Sequence, residues 1–277
     1  SEFLKLALAL WLGLVLARKA RLLDQWQHVL VPGLLVSGAA VGLVVLGHDL
    51  GTALVMVALV GGAMFVAGLP MRWFGAAAVL GAGAVAFLVV FSDNRMARVL
   101  TFLGIGESDP SGVGFQSQHG LFGLGTGGLS GVGLGASREK WSYLPEAHND
   151  FIFAILGEEL GLAGTLLVLA LFAALAVGMF RVVRRHPDPF AKITCAGIAS
   201  WILFQALVNI GVVIGLMPVI GVPLPLVSAG GSAMISTLLA LGVVMAFART
   251  EPGAQQVLQA RRGAVRRSLA VVGRRRG

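Results

Sequence analysis

Seven long apolar runs, at 3–17, 29–46, 50–67, 74–91, 151–180, 191–217 and 226–248, alternate with short polar or basic breaks along the 277 residues of this chain. Each is read as a helix crossing a hydrocarbon layer about 30 Å thick. The pattern therefore predicts an all-α, polytopic membrane helix bundle of about seven spans. Residues 1–91 hold the first four spans, 92–149 a long loop, 150–248 the last three spans and 249–277 a basic tail. Only Gly47, His48 and Asp49 separate the second span from the third, which makes them a tight hairpin or one broken helix. Pro32, Pro218, Pro223 and Pro225 mark places where a helix must begin, end or kink.

Composition supports the same class. Hydrophobic residues make up 57% and charged residues 12%, whereas a soluble domain carries about 25% charged residues. Mean hydropathy is +0.87. The 39 glycines suit membrane helices, whose backbones approach closely. The single cysteine, Cys195, lies in an apolar run, excludes an intramolecular disulfide and is expected to pack.

Charge sets an expected orientation. The net charge of +8 would suit nucleic acid, but eight of the 21 Lys and Arg residues lie from Arg249 onward, after the last apolar run. That is the pattern of a basic tail against anionic lipid. With the C-terminus cytoplasmic, most of the cations fall inside, as the positive-inside rule requires. Lys5, Asp49, Asp150 and the Pro223–Ser232 turn then converge on the outer face, which is where a site is expected.

The sharpest signal is at residues 141–164, WSYLPEAHNDFIFAILGEELGLAG, where a polar, Gly-rich loop passes abruptly into an apolar run. Glu146, His148 and Asp150 stand at the crossing, with Glu158 and Glu159 just inside. Ionisable groups cost about 2.5–3.5 kcal/mol at the centre of a bilayer, so at its boundary they point to a polar cavity. Asp150 is either the N-cap of the helix from Phe151 or a general base, and the two roles are compatible. Asp49 is a cap or turn residue, or part of the site. Lys5 either snorkels to the interface or pairs with Asp150 or a substrate phosphate. Of Glu158 and Glu159, about 100° apart on a helix, one at most should face the cavity.

Two other chemistries are disfavoured. Gly123, Gly125 and Gly128 match a dinucleotide fingerprint by letter, but no strand precedes them and no Lys-Ser/Thr follows, so they are expected to be hinge or close-packing glycines. His119 and His148 with Asp109, Glu146 and Asp150 have no zinc-like spacing. A divalent cation, Mg or Mn, bridging carboxylates and a pyrophosphate is the more reasonable metal reading, and no other cofactor is expected.

YLPEAHNDFIFAILGEELGLAG from Tyr143, the DP..G.G.Q run from Asp109, HDLGT from His48, SEFLKLALAL from Ser1 and PLPLVSAGGSAM from Pro223 together resemble the SEDS family of FtsW, RodA and SpoVE. They occur in the family's order over residues 1 to about 250 and look closest to the FtsW branch, with an actinobacterial flavour. The resemblance implies a ten-span fold of which this chain holds the last seven spans. It also implies a peptidoglycan glycosyltransferase of the bacterial cytoplasmic membrane. Such enzymes polymerise lipid II outside the cell during division, releasing undecaprenyl pyrophosphate, alongside a class B penicillin-binding protein and other division proteins. Asp150 then matches the essential loop aspartate. Lys5 and Asp49 match the family's Lys and Asp motif positions, and His148, Glu146, Ser228 and Ser232 are expected to contact substrate or shape the loop. Gly47 and His48 replace the usual Gln and Pro before Asp49, and Ala229 replaces an aromatic residue. The alternatives are a flippase for a lipid-linked precursor and a non-catalytic division scaffold.

Overall fold

A computed structural model describes residues 1–19, 33–105, 113–143, 148–251 and 253–254. Within them every expected apolar run forms a helix over most of its length. The helices are α1 (Glu2–Arg18), α2 (Leu35–Leu46), α3 (Leu50–Ala67), α4 (Met71–Val90), α5 (Asp93–Phe102), α6 (Val113–Gly127), α7 (Ile152–Arg185), α8 (Pro189–Val213) and α9 (Gly231–Thr250), with a short π-helical turn at Glu139–Tyr143. Five of them, α3, α4, α7, α8 and α9, are long and apolar enough to cross a membrane. The chain is a multi-pass, all-helical membrane protein.

α8 is the hub. It packs against α3, α1, α7 and α9, and Ile198, Ala199, Trp201 and Ile202 on it are fully enclosed. Small residues let it lie close to α3, with Gly197 against Leu59 and Ala63. Cys195 is buried in this core, the packing role expected of it. α4 is the opposite case: no residue on it is buried, and an edge-on Phe65–Phe74 ring pair anchors its base.

The second and third spans are a tight hairpin, not one broken helix. His48 takes a left-handed φ of 64° at the turn, and the Asp49 side chain caps α3 by accepting Thr52 N–H at 2.9 Å. The last span begins later than the apolar run suggests. Residues 226–230 belong to the proline-containing loop, and α9 starts at Gly231, because Leu226 takes a left-handed φ of 66° that a right-handed helix does not admit.

The loop between α4 and α7 contains α5, α6 and the π-helical turn, and α6 lies along α7. α7 itself is interrupted at Gly161, with φ 65° and ψ −163°. The break releases two carbonyls. Val132 N–H donates to Glu158 O at 2.9 Å and Gly133 N–H to Glu159 O at 3.1 Å, while Leu162 N–H donates to Gly128 O at 2.9 Å. A side chain at 161 would meet the Leu129 backbone within 2.7 Å. The glycine-rich segment is therefore a close-packed joint between loop and helix. Gly123 lies within it on α6, against the Ala154 backbone of α7.

Candidate functional site

At one end of the bundle, three backbone segments meet: the turn before α3, residues 148–150 before α7, and the loop 214–230 between α8 and α9. The meeting is stitched by hydrogen bonds. Ala229 N–H donates to His148 O at 3.0 Å, and the Ser228 hydroxyl donates to Asn149 O. That same hydroxyl accepts Leu224 N–H at 2.7 Å. Asn209, near the end of α8, donates through Nδ2 to Asp150 O and to Val222 O, at 2.7 Å each. Gly51 of α3 closes the ring, so tight against the loop that a side chain there would meet Ile220 and Val222.

Asp150 sits at the centre of this junction, half-buried. One carboxylate oxygen faces Gly221, where an added Cβ would stand 3.4 Å away. Gly221 has φ 77°, a conformation that glycine adopts without strain. The α7 cap position is taken by Phe151, without a side-chain cap bond. Asp150 stands one residue before that position. Its backbone carbonyl is what the helix hub holds, leaving the side chain oriented by the loop.

Lys5 corrects an expectation. It does not snorkel and does not pair with Asp150. It is 1% exposed, donates to Glu2 Oε1 at 2.8 Å and Gln205 Oε1 at 3.1 Å, and lies 4.8 Å from the Trp201 ring centre. Glu2 in turn accepts the Ser236 hydroxyl of α9. Burying a charge is costly unless it is paired and hydrogen-bonded, and Lys5 is both. Gln205 links it onward: its Nε2 donates to Pro223 O at 2.9 Å and its Oε1 accepts Trp201 Nε1–H at 2.8 Å.

The other expected residues separate. Asp49 is a cap, yet lies near enough for its charge to act on Lys5. Ser228 is buried, with its hydroxyl committed to backbone. Ser232 is exposed in the first turn of α9, and His148 is exposed beside Asp150. Glu146 and Asp109 lie outside the described residues, as does most of the basic tail. Three residues that the apolar pattern hid, Trp201, Gln205 and Asn209, prove central. Their spacing of four was the available signal, since it places all three on one helix face.

Both inner acids find partners in the loop. Glu158 accepts the Ser137 hydroxyl, Arg138 N–H at 3.0 Å and Glu139 N–H at 3.4 Å. Glu159 pairs with Lys140 at 2.9 Å. His119 Nδ1 lies 2.7 Å from Glu139 and the ring stacks on Phe115 at 4.0 Å. Among the described residues, no three His, Cys, Asp or Glu side chains gather as a cation site.

Residues 1–252 match the model of the FtsW/RodA/SpoVE cell cycle proteins. The chain is 41% identical to a probable peptidoglycan glycosyltransferase FtsW of Mycobacterium tuberculosis, over 95% of this chain and 50% of that protein. It is 40% identical to stage V sporulation protein E of Bacillus subtilis, over 90% of this chain and 68% of that one. It thus spans about half the length of its mycobacterial relatives. Among solved structures it is similar to a chain described under "Structural coordination of polymerization and crosslinking by a peptidoglycan synthase complex", with TM-score 0.68, 31% identity, and coverage of 90% of this chain and 69% of that one. It is also similar to the rod shape determining protein RodA of Thermus thermophilus, with TM-score 0.56, 30% identity, and coverage of 85% and 62%. By sequence over nearly its whole length and by fold, the chain belongs to the FtsW/RodA/SpoVE family of cell cycle proteins.

Proposed function

We propose that the protein to which this chain belongs is a peptidoglycan glycosyltransferase that polymerises lipid II outside the cytoplasmic membrane during division, with Asp150 as general base. The observation that carries the assignment of Asp150 is its setting. Its backbone is clamped between α8 and the proline-containing loop, while its carboxylate lies against a glycine at a polar end of an otherwise apolar bundle.

That placement supports the following reaction. The acceptor sugar's 4-hydroxyl loses its proton to Asp150 as its oxygen attacks the donor's anomeric carbon. The bond from that carbon to the phosphate oxygen breaks, and undecaprenyl pyrophosphate leaves with the electron pair. Positioned bases contribute about 10²–10⁴-fold. In this reading His148 and Ser232, both exposed at this end, contact the sugar and phosphates. The first amides of α9, which have no side-chain cap, favour an anion there. Lys5 and Asp49 lie beneath the junction, where the Lys5 charge favours the departing phosphates. Naming of relatives as probable peptidoglycan glycosyltransferases supports the reading, and a peptidoglycan synthase complex among the similar structures supports a class B penicillin-binding protein as partner.

The test is glycan synthesis from lipid II by the purified full-length protein with its partner. Asp150→Asn should abolish polymer while leaving folding and partner binding intact. Wild-type yield from that variant would remove Asp150 as base. Transfer of lipid II between vesicle leaflets without polymer would favour a flippase instead, and partner binding with no activity in either assay a scaffold.

A further inference from the structure

We propose that Asn209 and Gln205 are positioning residues for Asp150: two amides, one turn apart on α8, that fix the loop at 221–223 against the carboxylate. The proposal rests on the assignment of Asp150 as base.

Both amides are buried in the most enclosed helix of the bundle, at 2% exposure each. Polar groups there are costly unless satisfied; Asn209 Oδ1 is buried without a hydrogen-bond partner among the described residues, so its two N–H bonds are what hold the side chain in place. Asn209 Nδ2 donates to Asp150 O and Val222 O, and Gln205 Nε2 donates to Pro223 O. All three acceptors are main-chain carbonyls. Two of them belong to consecutive residues of the loop, immediately after Gly221, whose backbone faces Asp150 Oδ2. With acceptors on both sides of its nitrogen, the Asn209 amide has one admissible orientation, since a carboxamide oxygen there would repel both carbonyls.

One nitrogen therefore ties the segment bearing the base to the loop that confines it. Both N–H groups of Asn209 are thereby committed to main chain. Gln205 adds a second anchor and is itself held through Oε1 by Trp201 and Lys5. The loop between these anchors is stiff, because Pro223 and Pro225 restrict φ. Loss of either anchor should let loop and carboxylate drift apart, and a misplacement of about 1 Å can cost about 10²-fold in rate.

The test uses the full-length protein with its partner and lipid II, comparing Asn209→Leu, Asn209→Asp and Gln205→Met with wild type. In Asn209→Leu and Asn209→Asp, kcat should fall about 10²-fold with KM within about threefold, because a base is displaced and no substrate contact is lost. Gln205→Met, which removes one loop bond together with the acceptor of Lys5 and Trp201, should lose about tenfold and supplies the answer if the Asn209 variants fail to fold. Amide exchange should quicken in peptides covering 148–150 and 219–224 of each folded variant, and remain at the wild-type level in Asp150→Asn. Raised KM with unchanged kcat would overturn the proposal, as would faster exchange with unchanged kcat, or no change in either. Full activity of Asp150→Asn would instead sink the assignment of the base, while the exchange result would still report on the anchoring.

Discussion

Glu158, 3% exposed and about two turns inside an apolar helix, accepts the hydroxyl of Ser137, a loop residue 21 positions earlier. It also accepts the amides of Arg138 and Glu139, so one carboxylate terminates the loop before the π-helical turn. Removing it orphans three donors. Glu158→Ala should cost about 2–4 kcal/mol, since a lost hydrogen bond to a charged group is worth about 1.5–3 kcal/mol and bonds in one network do not add. Trypsin should then cut at Arg138 or Lys140 under conditions where the wild type resists. Unchanged cleavage would show that the loop is held by something else.

Gly161→Ala tests the helix break. Alanine at φ 65° and ψ −163° is strained by about 1–3 kcal/mol, and its Cβ would press on the backbone of Leu129 and Gly131. A marked fall in the detergent melting temperature is expected, with faster amide exchange at 128–133. A melting temperature within a degree or so of wild type would mean that the two segments separate easily.

Glu2 and Lys5 should behave as a unit. Lys5→Met strands Glu2 beside Ser236 and should cost about 3–5 kcal/mol, the range for breaking a buried ion pair. Glu2→Gln combined with Lys5→Met should recover part of that loss. Strict additivity in a double-mutant cycle of melting stability would count against a coupled pair.

Ser228→Ala removes the donor to Asn149 O and the acceptor for Leu224 N–H together. About 1–3 kcal/mol of stability should go, and polymerisation should fall further than in Asp49→Ala, which removes a helix cap worth about 1 kcal/mol. Equal polymer yield from the two variants would separate the loop's anchoring from the reaction.

The helices were legible because a chain this apolar has few ways to satisfy its backbone except as helix. Asp150 was legible for the converse reason, as a charge where charge is expensive. Its supports were not. Gln205 and Asn209 look like isolated polar residues in an apolar run, and only the fold reveals that their donors point at a distant proline loop. Lys5 at a helix start reads equally well as snorkelling or buried, and the choice depends on Glu2 and Gln205 standing beside it. The roles of Glu158 and Glu159 depended on partners about twenty residues upstream, beyond any helical periodicity. The break at Gly161 left no trace in the apolar run that surrounds it.

The interruption of α7 has a mechanical consequence. Main-chain bonds pass both ways across the joint, from Val132 and Gly133 to α7 and from Leu162 to Gly128. The loop is thus spliced into the helix that follows Asp150 rather than resting upon it. A pull on the stretch around 128–133 would bear directly on the first turns of α7 and so on the aspartate at their head. In that sense the glycine-rich segment is less a flexible connector than a lever with its short arm at Asp150.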